Sequence, residues 1–364
     1  MVAHRNRRLN PAADAHRAPG VPEAGEGTLR IHAMIAILLA AQGMAGSALA
    51  VGPAPPVPEP QPLGPAAWLI SGGILPDREP DGNTVVFDSP EGLVVVDTGR
   101  HSWHREAILA LAADRNRPIV AIINSHWHLD HVSGNPALRA AFPKLRTYSS
   151  NAIDGALTEF LASSAREYAN YANVPRFPET LREDIRGDIL TIENGAALKP
   201  DVVVEASTSL TLGGRTFQIN LARHAVTSGD VWLYDQQSGV AVLGDLVTLP
   251  VPFLDTACPE GWRAALAQIS DARFRIAVPG HGAPMTPEDV SNYRKAFDAF
   301  TACADSLRPA DECGAGWVDS VKSMLAHDAQ AAARTKAMAV DYVEMLRANG
   351  GRSKYCEGLR VETR

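Results

Sequence analysis

The chain has 364 residues, of which 46% are hydrophobic, so it can bury a sizeable core as one large domain or two small ones. Its formal net charge is −7, and because residues 1–50 carry +2, the remainder carries −9. This acidic balance, without a stripe of Lys and Arg, excludes nucleic acid and anionic membrane surfaces as expected partners.

Residues 1–50 predict an export signal. Basic residues end at Arg30, an apolar run follows at Ile35–Ala41, and the small residues Ala48-Leu49-Ala50 come next. This is the order of a secretory signal peptide, with an upstream extension before Arg30. The apolar run is shorter than the roughly 20 residues that span a bilayer. We therefore expect a periplasmic or secreted protein without stable membrane insertion after cleavage; the alternatives are an uncleaved anchor or a buried helix.

Residues 51–66 predict a linker, because seven prolines lie among its first fifteen residues and such segments favour extended conformations. From residue 67 the pattern changes to short β-rich runs, which marks a domain that we place at 67–290. Two runs separated by Ser89-Pro90-Glu91-Gly92 predict a hairpin, and Asn135 before Pro136 predicts a helix cap. The expected elements are strands at 84–88, 93–97 and 119–124 and helices at 103–115 and from 135.

Residues 151–200 predict a helical insertion that forms a lid or a pocket wall. Apolar residues recur there at helical spacing from Ile153 to Leu161. The aromatic residues Tyr168, Tyr171 and Phe177 either line a pocket or pack the insertion against the domain.

The second half of the chain predicts strands and then helices. Gly213-Gly214 indicates a hairpin, and Thr286 with Pro287 indicates a capped helix start. Expected strands lie at 202–205, 209–212, 216–220, 231–235 and 239–243, and expected helices at 286–307, 317–327 and 331–348. Residues 291–364 are thus a C-terminal helical extension. The whole order predicts an α/β fold in which two packed sheets carry helices on both outer faces.

The four cysteines predict disulfides, because an even number in an exported chain suits pairing. Cys303 and Cys313 enclose nine residues, a span that closes easily, and Cys258 and Cys356 are then left to pair. Buried thiols are the alternative for a cytosolic chain. The absence of C-x-x-C spacing argues against a thiolate zinc site.

The strongest chemical signal lies directly after the strand at 119–124, where His126, His128, Asp130 and His131 fall within six residues. Such groups cannot all be buried without partners, and imidazoles with a carboxylate are ligands that Zn²⁺ takes. His126 and His128 can share one ion, whereas Asp130 and His131 point to another. The alternative is a polar surface loop.

Two ions need further ligands, and His224, Asp245 and His281 follow later strands. Gly280 and Gly282 flank His281 and allow a tight turn. Taken alone, His224 is an ordinary loop residue and Gly-Asp is a common turn. The predicted zinc ligands are His126, His128, Asp130, His131, His224, Asp245 and His281.

Three other residues near these motifs are interpreted as structural. His101 and His104 are expected at the surface or at a helix start rather than in the cleft. Trp127 is expected to pack rather than to contact substrate.

Five motifs occur in a fixed order: Val95-Val-Asp97-Thr-Gly99, the histidine cluster, His224 in HAVTSGD, Gly244-Asp245 and Pro279-Gly-His281-Gly. Over residues 67–290 this order resembles the metallo-β-lactamase fold superfamily. The resemblance implies an αββα sandwich with two zinc ions at one edge.

The same resemblance implies the role of each site residue. His126, His128 and His224 would hold the first ion, Asp130, His131 and His281 the second, and Asp245 would bridge them. Asp97 would orient a ligand. A hydroxide shared by the ions would attack the substrate, and Asp130, the candidate catalytic residue, would orient it or pass on its proton.

Asp245 narrows the expected substrate. True metallo-β-lactamases generally carry Cys or Ser there, whereas a bridging carboxylate resembles glyoxalase II-type thioesterases and lactonases. The prediction is an exported dinuclear zinc hydrolase acting on an ester, thioester or lactone-like small molecule. The alternatives are a β-lactamase, an iron-dependent persulfide dioxygenase-like enzyme and a metal-binding accessory protein.

A narrower resemblance concerns cellular context. The signal peptide, the insertion and residues 255–262 resemble exported zinc hydrolases associated with bacterial quinoprotein or sulfur-oxidation systems. This implies an exported redox system as a further partner.

Overall fold

The computed structural model describes residues 55–75, 77–325 and 330–356. The predicted signal peptide at 1–50 lies outside these residues. Within the described ranges, no helix combines the length and apolarity that crossing a membrane requires.

Two β-sheets form the centre of the fold. The first sheet has seven strands in chain order, antiparallel from β1 to β4 and parallel from β4 to β7. Its strands are β1 (Gln61–Gly64), β2 (Ala67–Ile70), β3 (Thr84–Ser89), β4 (Gly92–Val96), β5 (Ile119–Ile123), β6 (Arg146–Ser149) and β7 (Val202–Val203).

The second sheet has five strands in the order β12-β11-β10-β9-β8. All pairs are antiparallel except β11 with β12, which run parallel. Its strands are β8 (Thr208–Leu212), β9 (Arg215–Arg223), β10 (Gly229–Asp235), β11 (Val240–Thr248) and β12 (Ile276–His281).

Helices cover the outer faces and the site edge. The first six are α1 (Ser102–Asp114), α2 (Leu129–Val132), α3 (Asn135–Ala141), α4 (Ala152–Thr158), α5 (Phe160–Tyr171) and α6 (Glu179–Glu193). The others are α7 (Pro259–Asp271), α8 (Pro287–Ala304), α9 (Ala310–Val321) and α10 (Ala331–Ala348), with 3₁₀ turns at Gly195–Leu198 and Lys322–Met324.

Successive side chains of a strand point to opposite faces of the sheet, which explains how each sheet packs against a layer on either side. Val85 and Phe87 of β3 point into the space between the sheets, where Phe87 meets Phe217 edge to face at 5.2 Å. Val86 points to the other face and packs with Ile108 of α1. Burial of each such side chain contributes about 1.5–3 kcal/mol. The predicted αββα sandwich is confirmed.

Four helices, α7 to α10, cover the second sheet. Trp262, Phe297, Trp317 and Tyr342 are fully buried in this layer, and the indole N–H of Trp317 donates to the Pro250 carbonyl at 2.8 Å.

Two disulfides join parts of this layer. They pair Cys303 with Cys313 and Cys258 with Cys356, with Cα–Cα distances of 5.6 and 5.1 Å. These are the pairs expected from the sequence.

Three local features differ from the sequence expectations. Part of the predicted linker forms β1, an edge strand. Pro62 is tolerated there because a backbone N–H on the open side of an edge strand has no neighbouring strand to bond. Helix α7 was not predicted, although Pro259 at its first position and the spacing of Trp262 and Leu266 are helical signals. Asn135 does not cap α3; its side chain bonds Thr98 and Asn124 instead.

Candidate functional site

The site lies where strands of both sheets end. β5 leads into the loop and short helix that carry the histidine cluster, whereas β11 contains Asp245 and β12 ends at His281. Gly244 pairs with Pro279 in the parallel register of β11 and β12. The two sheets therefore each contribute side chains to one edge of the sandwich.

Six of the seven predicted ligands form two groups. One contains His126, His128 and Asp245, and the other contains Asp130, His131 and His281; within each group the ligand atoms lie within 4.8 Å of one another.

Asp245 lies between the two groups. Its Oδ1 is 3.3 Å from His131 Nε2 and 3.6 Å from His281 Nε2, while its Oδ2 is 3.7 Å from His126 Nε2. Its two oxygens thus face the two groups, which is the geometry of a bridging carboxylate.

The ligand atoms lack partners of their own. The Nε2 atoms of His126, His131 and His281 and both oxygens of Asp245 are buried without a hydrogen-bond partner among the described residues. Buried polar atoms are rarely left unpaired, and imidazole nitrogens with carboxylates are ligands that zinc takes. The residues present therefore fit a pair of metal ions.

Asp97 orients two of the imidazoles. It accepts hydrogen bonds from the Ser125 amide at 2.7 Å, the Ser125 hydroxyl at 2.7 Å and His131 Nδ1 at 2.8 Å. Because the Ser125 hydroxyl has spent its one proton, it must accept from His126 Nδ1 at 2.9 Å. Both rings thereby carry a proton on Nδ1, which leaves Nε2 as the atom that faces the centre.

Thr256 orients His128 so that the other ring nitrogen, Nε2, carries the proton. Its hydroxyl donates to the Val226 carbonyl at 2.8 Å and lies 3.1 Å from His128 Nε2. With its proton spent, it accepts from His128 Nε2–H, which leaves the Nδ1 lone pair free.

The electrostatics of the centre suit a cation. Burial lowers the pKa of His126 well below its usual value and that of His128 to about 4, so both rings are neutral. Burial also disfavours the charged form of His131, but the carboxylates of Asp130 and Asp245 outweigh it and hold the pKa of His131 well above its usual value. Carboxylates so close together call for neighbouring positive charge.

Gly280 is required by this packing. A Cβ at this position would lie 1.8 Å from Asp245 Oδ1, which no side chain could tolerate. The glycine therefore lets β12 approach the carboxylate that lies between the two groups.

The family model described as the metallo-beta-lactamase superfamily matches residues 77–303 of the chain. The chain belongs to the metallo-beta-lactamase superfamily.

Individual proteins of known function are similar to parts of the chain. An atrochrysone carboxyl ACP thioesterase from Aspergillus fumigatus is 34% identical over 101 residues, which are 27% of this chain and 31% of that protein. A linear primary-alkylsulfatase from a Pseudomonas species is 22% identical over 222 residues, which are 55% of this chain and 41% of that protein. The matches thus span less than half the length of either relative.

A solved structure shows the same fold. The stereoselective inverting sec-alkylsulfatase Pisa1 from a Pseudomonas species aligns with a TM-score of 0.54 at 18% identity. The alignment covers 79% of this chain and 50% of that one.

A pocket opens beside the metallo-beta-lactamase centre. Its wall is mostly apolar and includes the insertion helices, together with Asp130 and His128. The lining residues are Glu79, Pro80, Arg100, Trp127, His128, Leu129, Asp130, Phe160, Leu161, Ser164, Tyr168, Asp188, Ile192, Phe253 and Asp255.

The aromatic residues of the insertion divide between two roles. Tyr168 lines the pocket, whereas Tyr171 and Phe177 pack on each other at 5.7 Å within the insertion. Trp127 is buried, as expected for packing, yet it also lines the pocket beside Phe160.

His224 is the predicted ligand that the structure leaves outside both groups. It follows β9 with a φ of 51°, a left-handed conformation that turns the chain at this residue. The sequence motif could not reveal this backbone turn.

His101 and His104 lie at the start of α1, one of the two places expected for them, but both are buried rather than at the surface. His104 is fully buried, with Nε2 2.8 Å from the Thr84 hydroxyl. His101 is buried between Asp81 and Asp184, with nitrogen–oxygen distances of 2.6 and 3.2 Å. The Thr84 hydroxyl partners His104 and two carboxylates partner His101, and neither ring belongs to a ligand group.

Arg100 is a site residue that the sequence reasoning missed. It forms an ion pair with Asp188 of α6, and its guanidinium also lies 3.9 Å from Asp130 Oδ1 and 4.0 Å from Glu79. The sequence did place Arg100 directly after the motif Asp97-Thr-Gly99, and this position could have marked it as a site residue. Through Arg100, the insertion is tied to the carboxylate of a candidate ligand.

Proposed function

We propose that this chain is an exported, dinuclear zinc hydrolase that cleaves an ester, thioester or lactone. One observation carries the proposal: two groups of three buried ligand side chains lie side by side, and a carboxylate between them has both oxygens unpaired. Such a centre is suited to hydrolysis at neutral pH.

Six residues would hold the ions: His126, His128, Asp130, His131, Asp245 and His281. Zinc bound there would supply an activated water and polarise the scissile carbonyl. Asp130 lines the pocket, and its carboxylate can accept a proton from the attacking water and return it to the leaving group.

The remaining pocket residues would bind and position the substrate. Trp127, Phe160, Leu161, Ile192 and Phe253 form an apolar wall that can bury an acyl chain or ring and exclude water. Because Asp188 holds Arg100 beside Asp130, the guanidinium restrains the proposed proton acceptor.

Two observations support the choice of bond and of compartment. The similarity to a thioesterase supports attack on an activated acyl group. The pairing of all four cysteines supports export, because disulfides form and persist in oxidising compartments.

The proposal is tested with zinc-loaded protein against activated esters, thioesters, lactones and β-lactams. We expect acyl ester, thioester or lactone turnover and weak β-lactam turnover. Asp245→Ala should lower the rate by about one to two orders of magnitude, because it disturbs the placement of both ions. Asp298→Ala, on α8 away from the site, is the control and should retain full activity.

The proposal would be refuted if zinc-loaded protein showed no acyl hydrolysis, or if efficient β-lactam turnover persisted in Asp245→Ser. One equivalent of iron with negligible zinc in the purified protein would instead favour the dioxygenase-like alternative.

A second candidate is hydrolysis of sulfate esters. The alkylsulfatase similarity extends over 55% of this chain, more than the 27% matched by the thioesterase. A linear alkyl sulfate in the same assay decides between them: turnover above that of every acyl substrate would favour the sulfatase reading.

A further inference from the structure

His224 lies in a turn whose backbone is held on several sides. Its N–H donates to the Ser228 carbonyl at 3.3 Å, and the Ala225 N–H donates to the Thr227 carbonyl at 2.9 Å. Its own carbonyl lies against Gly261, where a Cβ would be 1.8 Å away. The position of His224 is therefore set by the packed turn.

Val226, not His224, is the part of this turn that is linked to the centre. The Val226 carbonyl accepts the Thr256 hydroxyl, and that hydroxyl accepts from His128 Nε2. Val226 itself is fully buried. The turn thus reaches His128 through a carbonyl and a hydroxyl, and its contribution is to orient a ligand.

The two ligand groups consequently differ in how many protein side chains each can offer to an ion. His131 and His281 are joined by Asp130 and by Asp245 Oδ1, which makes four protein groups. Among the described residues, His126 and His128 are joined only by the other oxygen of Asp245, which makes three protein groups. Zinc prefers four ligands in closed sites and keeps a position open where only three protein groups bind it.

We propose that the centre binds its two zinc ions unequally and without His224. The ion at Asp130, His131 and His281 binds tightly. The ion at His126 and His128 would bind more weakly because fewer protein groups hold it, with Thr256 as the positioning residue for His128. This inference rests on the dinuclear centre of the proposed function.

The test is a Zn²⁺ titration of metal-free protein in competition with a chromophoric chelator. Wild type should bind two equivalents with dissociation constants at least about tenfold apart. His224→Ala should keep both equivalents and both constants. His128→Ala should lose the weaker equivalent alone, and His281→Ala should lose the tighter one. Circular dichroism of each variant verifies that it is folded.

Thr256 is tested by a matched pair of substitutions. Thr256→Val keeps the shape but removes the hydroxyl, and it should weaken the second equivalent about 10–100-fold while leaving the first unchanged. Thr256→Ser should restore it. A purely packing role would give the opposite order, since valine fills the space better than serine.

The outcomes separate this inference from the proposed function. If wild type binds no zinc, both are overturned. If it binds two equivalents with equal affinity, or if His224→Ala loses an equivalent as His128→Ala does, only the unequal centre is overturned. His224→Ala is the most decisive variant, because His224 Nδ1 is buried without a hydrogen-bond partner among the described residues and would be the atom to bind zinc if this inference were wrong.

Discussion

Asp97 orients two rings of the proposed metal centre, His131 directly and His126 through Ser125. Asp97→Asn replaces one acceptor oxygen with a donor, so it cannot receive all three hydrogen bonds that come from Ser125 and His131. We expect zinc affinity to fall about 10–100-fold with the fold retained. Zinc titration and thermal unfolding measure the two effects.

The matched control for Asp97 is Asp88→Asn, on the neighbouring strand. The Asp88 carboxylate is half-buried and lies 3.4 Å from Arg117, away from the centre. Zinc affinity should not change. Equal losses in both variants would mean that Asp97 acts through stability rather than through ring orientation.

Gly280 tests the close approach at the bridging carboxylate. Gly280→Ala places a methyl group 1.8 Å from Asp245 Oδ1, so either the carboxylate or β12 must move. We expect loss of at least one zinc equivalent, measured by elemental analysis. The control is Gly187→Ala on α6, which meets nothing within 4 Å and should stabilise the helix by up to about 1 kcal/mol. Full zinc content in Gly280→Ala would contradict the geometry.

Helix α6 is docked to the domain through a buried imidazole. Burial opposes charging of His101, yet the hydrogen bonds to Asp184 and Asp81 outweigh burial and raise its pKa above the ordinary 6.5. Asp81 has a pKa of about 2 and stays ionised, whereas burial lowers the pKa of the adjacent His104. Arg78 also binds Asp184, at 2.8 Å. The imidazolium thus ties α6 to the start of α1.

The pKa of His101 is raised in the folded state. Its contribution to the free energy of unfolding is therefore complete below pH 6.5 and disappears as the pH rises through the pKa of the folded state. We expect the stability difference between wild type and His101→Gln to shrink above that value, from about 1.5–3 kcal/mol for a charged hydrogen bond. Urea unfolding from pH 6 to 9 measures it. His104→Gln, which replaces a neutral ring, should lose stability equally across the range; a pH-independent His101 difference would contradict the assignment.

Local patterns predicted most of the elements and six members of the candidate centre. The hairpin around Gly92 and the strand before His126 could be predicted from short apolar runs next to turn residues, because these strands are buried on both faces. Asp245 and His281 could be predicted as ligands because parallel strands such as β11 and β12 bring their carboxyl ends to one edge of the sheet.

The remainder depends on contacts between residues distant in sequence. His224 lies at a left-handed turn outside both ligand groups, and His101 is buried against a carboxylate on α6. The role of Thr256 depends on a single hydroxyl that donates to the Val226 carbonyl and accepts from His128. Spacing in one sequence carries no record of such contacts.

The proposed metal centre takes its residues from both sheets of the sandwich. One sheet supplies the histidine cluster after β5, and the other supplies Asp245 and His281. A ligand that binds only the folded state stabilises it by mass action, so chelation should lower the thermal midpoint of wild type by several degrees, on the order of 2–4 °C per kcal/mol. Calorimetry with and without EDTA measures this shift.

The control for the chelation experiment is the double variant His126→Ala/His281→Ala. With one ligand of each group removed, it should melt at the same temperature with and without EDTA. An unchanged midpoint in wild type would mean that the ions do not contribute to holding the sheets together.

The bridge between Cys258 and Cys356 spans 98 positions of the chain. Tyr355, next to the second cysteine, packs on Phe160 at 5.1 Å, and Phe160 lines the pocket. A ribosome must therefore have added Cys356, and an oxidant must have removed two electrons from the thiols, before this wall is held in place. A newly made chain in a reducing compartment would lack that restraint, so this part of the pocket wall is held in place only under oxidising conditions.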